Sequence, residues 1–295
     1  MDGVAVGQVR RFNRLVTERV GALDDHFLSR DRPLGEARVL WEIGPDGCDV
    51  RALRSRLDLD SGYLSRLLRS LEQAGLATGE PNEHDRRIRT VRLTEAGLAE
   101  RAVLDERSDA LAESFLAPLN AVQRERLVAA MGDVERLLTA AMIDIRPTDP
   151  ADPEARYCMR EYFAELDRRF DVGFDPAASI SADDDELRTP RGLLLVATLR
   201  TEPIGCGALK FHDGAPTELK RMWVAPSVRG LGVGRRLLWE LEREAARHAS
   251  RIVRLETNES LTEAIALYRS SGYVEVPPFN EEAYAHHWFE KRLGG

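Results

Sequence analysis

The pattern of apolar and polar positions changes character once along the chain, near residue 142. Before that point apolar residues recur every three or four positions, as on the buried face of an amphipathic helix. These stripes predict helices at 8–27, 33–43, 50–57, 62–74, 94–116 and 121–141. After it, short apolar or alternating runs are interspersed with helical stripes, which indicates a sheet covered by helices. We therefore predict two domains, a mainly α-helical one over 1–141 and an α/β one over 142–295.

The predicted helix from Gly62 to Ala74 begins after a capping residue, Asp60 or Ser61, and follows a shorter helix and a tight turn. A short helix, a turn and a longer helix form the pattern of a helix-turn-helix. Two short alternating runs, 76–79 and 88–93, come next and flank a loop rich in charge. The first domain is therefore predicted to carry a helix-turn-helix followed by a β-hairpin.

That hairpin carries the sequence Asp85-Arg86-Arg87, and Leu93-Thr94-Glu95-Ala96-Gly97 follows it. With the preceding helix, these motifs resemble the winged helix of MarR-type regulators over roughly residues 8–140. The resemblance implies that the second helix of the motif enters the major groove of double-stranded DNA and that the wing reaches a minor groove. It also implies a homodimer on a pseudo-palindromic operator, because one chain offers only one recognition helix. The candidate DNA-binding residues are Ser61, Tyr63, Ser65, Arg66, Arg69, Arg86 and Arg87.

In the second domain, a glycine-rich turn joins a strand that ends near Val224 to an amphipathic helix. Gly230, Gly232 and Gly234 have no Cβ, so successive N–H groups can converge on a phosphate at the positive end of the helix dipole. The Rossmann fingerprint G-x-G-x-x-G does not fit, because the sixth residue counted from Gly230 is Arg235. The turn predicts a ligand that carries a pyrophosphate.

Arg229, Gly232 and Gly234 match the acetyl-CoA loop [QR]-x-x-G-x-[GA] of the GNAT acyltransferases. The predicted order of elements, β-α-β-β-β-α-β-α-β-β, also resembles the GNAT fold over 142–293, an α/β fold with a mixed, mostly antiparallel sheet. The resemblance implies an N-acetyltransferase that uses acetyl-CoA as co-substrate and acts on a small amine-bearing metabolite. The candidate cofactor-binding residues are Trp223, Val224, Arg229, Gly230, Leu231, Gly232, Val233, Gly234, Arg235 and Asn258.

Acyl transfer to an amine requires two proton steps, since an ammonium must lose a proton before it attacks and the CoA thiolate leaves more easily when protonated. By the resemblance, Tyr268 matches the general acid and Glu218 matches a base that acts on the acceptor. Glu256 is a second candidate base. The expected walls of the acceptor pocket come from the helix around Tyr162 and Phe163 and from the hairpin around Phe279, Asn280 and Tyr284.

The amino-acid composition limits the partners, metal sites and cellular location that these predictions allow. The formal net charge of −8 argues against indiscriminate nucleic-acid binding, although residues 51–92 hold nine arginines against six acidic residues. Cys48, Cys158 and Cys206 are scattered, which argues against a disulfide framework or a zinc site. His286 and His287 point to opposite faces of a strand, so we predict no metal. The chain has no apolar run of about 18 residues, so we predict a cytoplasmic protein without a membrane span.

The favoured hypothesis is therefore a DNA-binding transcriptional regulator fused to an acetyl-CoA-dependent N-acetyltransferase. The alternative is a regulator whose GNAT-like domain only senses acetyl-CoA or a metabolite without turnover. A third reading, an enzyme whose winged helix serves only for dimerisation, fits the arginine-bearing wing least well. The sequence does not choose the acceptor, the operator or the direction of regulation.

Overall fold

The computed structural model describes residues 2–22, 28, 31–81, 89–180 and 182–294. The chain divides into two compact units, Met1–Ala130 and Met131–Gly295, and each is described by itself. The predicted boundary between residues 141 and 142 stays a prediction.

The first unit is mainly helical. Its three short strands pair antiparallel in the order β1-β3-β2. Its elements in chain order are α1 (Gly3–Arg19), α2 (Leu34–Ile43), β1 (Cys48–Asp49), α3 (Val50–Leu57), α4 (Ser61–Gln73), β2 (Ala77–Pro81), β3 (Arg89–Leu93), α5 (Glu95–Leu116) and the first half of α6 (Ala121–Ala141), a helix that continues into the second unit. The predicted helix-turn-helix and hairpin are confirmed. The first helix differs from the prediction, because it ends at Arg19 and the chain then turns at Gly21, whose φ is 67°.

Residues that flank helix α4 determine where it begins and ends. The Asp60 side chain accepts a hydrogen bond from the Tyr63 N–H at 2.8 Å and so caps the first turn. Gly75, with φ 71°, ends the helix in the left-handed conformation that glycine adopts most easily. The buried face of the helix consists of Leu64, Leu67, Leu68 and Leu71. Its opposite face is left free for contacts with another molecule.

The second unit contains a seven-stranded sheet of order β4-β5-β6-β7-β8-β10-β9. Only the pair β7 and β8 is parallel among the described strands, which confirms the predicted mixed, mostly antiparallel sheet. The elements are β4 (Ile143–Pro147), α7 (Pro153–Arg169), β5 (Gly192–Leu199), β6 (Glu202–Lys210), β7 (Thr217–Val224), α8 (Val233–Arg247), β8 (Ile252–Thr257), α9 (Thr262–Ser270), β9 (Val274–Glu275) and β10 (His287–Arg292). This is the element order that the sequence predicts.

Both faces of this sheet carry apolar clusters. Ala208 packs with residues of α7, whereas its neighbour Leu209 packs with residues of α8. Because successive strand side chains point to opposite faces, the two helices cover opposite sides of the sheet. Since both faces are covered by helices, a ligand can reach the sheet only at its edges or at a gap between strands.

The sheet opens between its two parallel strands. β7 and β8 pair only at Thr217 with Val253 and at Glu218 with Arg254, and beyond these residues the strands separate. On its other side, β7 has a bulge opposite β6, between the pairs Ala208–Lys220 and Cys206–Trp223. Arg221 lies in this bulge with a φ of 56°. The gap and the bulge together position the site described next.

Candidate active site

A cleft of about 690 Å³, partly open to solvent, lies at this gap. Lys220 from β7 and Glu256 from β8 line it, together with Tyr268 from α9. Tyr162 from α7 and Tyr284 from the segment before β10 complete opposite walls. Four separate elements and a loop therefore bring titratable groups to one place.

Lys220 and Glu256 form an ion pair across the gap, with their side chains 9% and 7% exposed. Lys220 contacts only the Oε1 atom of Glu256. The second oxygen, Oε2, is buried and has no hydrogen-bond partner among the described residues. A buried carboxylate oxygen without a donor is costly and is therefore suited to receive one from a ligand.

Tyr268 is 4% exposed, and among the described residues its hydroxyl has no hydrogen-bond partner. Burial raises the pKa of Tyr268 well above its usual value, and the nearby Tyr162 and Glu256 raise it further. The phenol consequently keeps its proton across the neutral range. It is a proton donor that faces the same cleft as the free oxygen of Glu256.

Glu218, the base favoured from the sequence, lies outside this cleft. Its carboxylate accepts a hydrogen bond from Arg254 at 2.7 Å and lies 3.8 Å from Lys220 and 3.6 Å from His212. Burial alone would raise the pKa of Glu218, but these three partners outweigh burial and lower it. Glu218 lies next to the cleft, through Lys220, but does not line it, so it is less well placed than Glu256 to take a proton from an acceptor bound there. The structure brings Glu256 to Tyr268 instead.

The predicted acceptor walls are partly brought together. Tyr162 and Tyr284 line the cleft, and Phe170 and Phe174 extend its apolar side. The ring centroids of Phe170, Phe174 and Tyr284 lie 5.0 to 5.8 Å apart, and those of Phe163 and Phe174 lie 5.7 Å apart. Two predicted wall residues are elsewhere: Phe279 lies over Arg254, and Asn280 accepts a hydrogen bond from Trp288. Phe170 and Phe174 come from the segment directly after α7, which was not among the predicted walls.

The glycine-rich turn follows β7 through a short 3-10 helix, Pro226–Val228. Gly230 and Gly232 have φ values of 87° and 78°, and a Cβ at either position would meet only open space. Among the described residues, the backbone N–H groups of 232–235 have no acceptor, because the first bond of α8 runs from Arg236 N–H to the Gly232 carbonyl. These N–H groups form an anion cradle at the positive end of a fifteen-residue helix. Gly234 has a packing role, since a Cβ at this position would lie only 3.3 Å from Leu267 Cδ2 and 3.7 Å from Val224 Cγ2.

The Arg229 side chain is bound to another part of the protein. Its guanidinium donates to both carboxylate oxygens of Glu165 at 2.6 and 2.8 Å, so it fastens the loop to α7. The same carboxylate accepts from Trp223 Nε1 at 3.0 Å and from Arg169 at 3.2 Å. Glu165 was missed from the sequence, although it lies on the buried stripe of α7 with Cys158 and Tyr162, where an acid requires a cationic partner.

Trp223 and Val224 lie on the stretch of β7 that faces the gap. Their backbone groups on that edge are not paired with β8, as the pantetheine prediction requires. Asn258 lines the cleft, but its amide donates to the Tyr284 carbonyl at 2.8 Å and accepts from Ser260 N–H at 2.9 Å. It therefore fixes the turn after β8, and only one amide hydrogen remains for a ligand. Leu231 packs against the apolar core, and Arg235 lies in the first turn of α8.

In the first unit, the five predicted DNA contacts on α4 are all exposed. They are Ser61, Tyr63, Ser65, Arg66 and Arg69. The Arg66 guanidinium lies 5.5 Å from the Tyr63 ring centroid, which holds it on the outer face of the helix. Arg86 and Arg87 lie outside the described residues.

Comparison with known proteins gives these features a family. A family model described as Acetyltransferase (GNAT) family matches residues 157–273. The IAA acetyltransferase of Azospirillum brasilense is 36% identical over 116 residues, which are 39% of this chain and 76% of that protein. The chain belongs to the GNAT acetyltransferase family. A second model, MarR family, matches residues 31–88, so the GNAT acetyltransferase is fused to a MarR region.

Other similar proteins match the same half. An uncharacterized N-acetyltransferase of Schizosaccharomyces pombe is 33% identical over 107 residues, or 32% of this chain and 64% of that protein. A GNAT acetyltransferase structure from Staphylococcus aureus is 18% identical and covers 52% of this chain and 99% of its own, with a TM-score of 0.45. A GNAT structure from Elizabethkingia anophelis with acetyl-CoA bound is 20% identical over the same shares, with a TM-score of 0.38.

The described residues of this GNAT chain also bear on metal binding and on membrane insertion. Within the described ranges, no group of three or more His, Cys, Asp or Glu side chains is arranged to hold a metal ion. None of the described helices has the length and apolar character required to cross a membrane.

Proposed function

We propose that the GNAT domain transfers the acetyl group of acetyl-CoA to a small amine bound in the cleft, with Glu256 as the base and Tyr268 as the acid. The observation that carries this proposal is that Glu256, whose Oε2 oxygen has no hydrogen-bond partner among the described residues, lines the same cleft as Tyr268. The geometry supports Glu256 over Glu218, because only Glu256 faces that cleft.

The two residues divide the proton steps. Glu256 Oε2 accepts a proton from the acceptor ammonium, and the neutral amine then attacks the thioester carbonyl. As the C–N bond forms and the C–S bond breaks, Tyr268 donates its proton to the departing sulfur. The proton released by the acylated nitrogen restores the phenol, and Glu256 returns its own to solvent. General acid and base steps of this kind contribute about 10²- to 10⁴-fold each to the rate.

The donor side of the proposal rests on the anion cradle and on the free edge of β7. The N–H groups of 232–235 suit the pyrophosphate of acetyl-CoA, and the backbone of Trp223 and Val224 suits the pantetheine. Arg229 contributes through Glu165, by fixing the loop against α7, rather than as a direct phosphate ligand.

The same proposal assigns the MarR region to binding double-stranded DNA as a homodimer on a pseudo-palindromic operator. Support comes from the exposed polar face of α4. It also comes from exposed apolar side chains on α1 and α6, among them Val4, Val9, Val122 and Leu137, at 75%, 58%, 65% and 72% exposure. Exposed apolar stripes of this kind call for a partner surface. The protein would act in the cytoplasm, where DNA and acetyl-CoA are both within reach.

The test is release of CoA thiol by the full chain with acetyl-CoA and a panel of small amines. Glu256→Gln and Tyr268→Phe are each expected to lower kcat/KM by about 10²-fold or more. Glu202→Gln is the matched control, since Glu202 is exposed at the start of β6. Saturable acetyl-CoA binding without turnover of any amine would replace the enzyme with a sensor. A Glu256→Gln variant as active as Glu202→Gln would refute the assigned base.

A further inference from the structure

The cleft contains one cation that the proposed chemistry does not use. Arg221 lines the cleft from the bulge of β7. Its guanidinium carbon lies 4.7 Å from the Phe163 ring centroid and 5.8 Å from that of Tyr162. No carboxylate among the described residues is within ion-pair distance of it. Two aromatic faces therefore hold a charge that no protein anion neutralises.

The neighbouring cations are arranged differently. Lys220 is paired with Glu256, Arg254 with Glu218, and Arg169 with Glu165 and Glu263. In a chain with 50 acidic and 42 basic residues, an unpaired arginine beside a cleft is an exception among its neighbours. An arginine held over rings keeps its planar donors free for a carboxylate.

The bulge also carries a conformational cost. A non-glycine residue at φ 56° is strained by about 1 kcal/mol or more. Glycine would adopt this conformation without that strain, so an arginine here supplies a side chain at some expense in backbone energy. Strain of this kind is typical of residues that act on ligands.

The second acid of the cleft does not compete for Arg221. Glu282 accepts hydrogen bonds from the Ser179 hydroxyl at 3.0 Å and from the Ile180 N–H at 2.7 Å. Its carboxylate is thus committed to closing the wall formed by the segment after α7. Among the charged side chains that line the cleft, the groups without a hydrogen-bond or ion-pair partner in the described residues are the Oε2 oxygen of Glu256 and the guanidinium of Arg221.

From these contacts we infer that the acceptor is an α-amino acid with an apolar or aromatic side chain. Its ammonium contacts Glu256, its carboxylate contacts Arg221, and its side chain packs against Phe170, Phe174 and Tyr284. This inference rests on the proposed function, because it names the acceptor of the same site. Arg221 acts in it as a specificity-determining residue, without a part in proton transfer.

The first test compares three acceptors that share one phenylethylamine skeleton: L-phenylalanine, L-phenylalaninamide of the same size, and 2-phenylethylamine, which lacks the carboxyl group. With the full chain, kcat/KM for the acid is expected to exceed that for the other two by about 10- to 100-fold, the effect of one hydrogen-bonded charge pair. Arg221→Gln should lower kcat/KM for phenylalanine by the same factor and leave kcat/KM for 2-phenylethylamine nearly unchanged. For phenylalanine, Arg221→Lys should have a kcat/KM between those of the wild type and Arg221→Gln. Arg168→Gln, a change at an exposed arginine of α7, is the control. An equal preference for the three acceptors would overturn the inference.

A binding measurement separates this inference from the function on which it rests. N-acetyl-L-phenylalanine and its amide are titrated calorimetrically into the full chain with CoA present. Preferential binding of the acid, lost in Arg221→Gln, supports the inference even if no amine is acetylated, in which case only the proposed function fails. Equal binding of acid and amide, no binding of either, or no effect of Arg221→Gln overturns the acceptor class.

Discussion

Lys220 on β7 and Glu256 on β8 form an ion pair across the gap that opens where these parallel strands stop pairing. The pair leaves one oxygen of Glu256 without a partner among the described residues and fixes the direction in which that oxygen points. Lys220 is thus a positioning residue. In the proposed function the gap in the sheet serves both substrates, because one strand edge is free for the donor and the cleft is assigned to the acceptor.

Removing Lys220 should be more harmful to folding than removing both partners. Lys220→Met leaves Glu256 buried without its cation, and we expect a loss of about 3 kcal/mol in the free energy of unfolding. The double variant Lys220→Met/Glu256→Gln should recover much of that loss, because no uncompensated charge remains. Urea unfolding, compared across the wild type, the two single variants and the double variant, measures both. Strictly additive effects would show that the two side chains are not coupled.

Glu218 should contribute to stability rather than to catalysis. Its pKa in the folded protein lies below the ordinary value of 4.5, so the ionised group stabilises the fold above that pH. The stabilisation is lost as the pH falls through the lowered pKa. Glu218→Gln is therefore expected to unfold more easily than wild type at pH 7, with the difference shrinking toward pH 3. Urea unfolding across this range tests the prediction, and a difference that grows toward acid would contradict it.

Gly232→Glu should abolish acetyl-CoA binding. The new side chain would fill the open space above the cradle and bring a negative charge to the helix N-terminus. Gly214→Glu is a close control, because Gly214 also has positive φ, 73° against 78°, and open space around its Cβ position. Calorimetric titration of acetyl-CoA into each full-length variant gives the answer. Equal loss of binding in both would point to general damage rather than to a blocked cradle.

The polar face of α4 should govern binding to DNA. Arg66→Ala and Arg69→Ala are each expected to weaken binding to the chain's own upstream DNA. If a residue contacts a phosphate, the slope of log K against log salt should become shallower by about 1. Arg168→Ala, on an exposed face of the GNAT domain, should change neither quantity. Titrations at several salt concentrations measure both, and wild-type affinity in both α4 variants would remove this face from the interface.

Local signals predicted most of the fold. The spacing of the leucines predicted the buried face of α4, and the residue types before the helix predicted a cap at Asp60 or Ser61. The structure shows the cap at Asp60. The glycine-rich turn was equally readable, because Gly230 and Gly232 are needed where φ is positive. These features depend on neighbouring residues in the chain, and sequence patterns record such neighbours directly.

Which of the two candidate bases lines the cleft could not be predicted in this way. Glu218 and Glu256 both lie on strands of the sheet, and only the point at which β7 and β8 separate decides which of them faces the cleft. That point depends on packing between distant segments. Arg221 was missed for a similar reason, since a left-handed conformation at a non-glycine residue leaves no mark in the sequence.

The hydrogen bond from Trp223 to Glu165 gives the acetyltransferase a built-in optical reporter. Trp223 is 5% exposed and shares Glu165 with Arg229 of the glycine-rich loop, so a ligand that shifts this loop changes the polarity around the indole. Trp239, at 53% exposure, would be quenched by iodide long before Trp223. The tryptophan emission that remains after quenching is therefore weighted toward buried indoles such as Trp223. A change in this emission would report a shift of the glycine-rich loop without any added label.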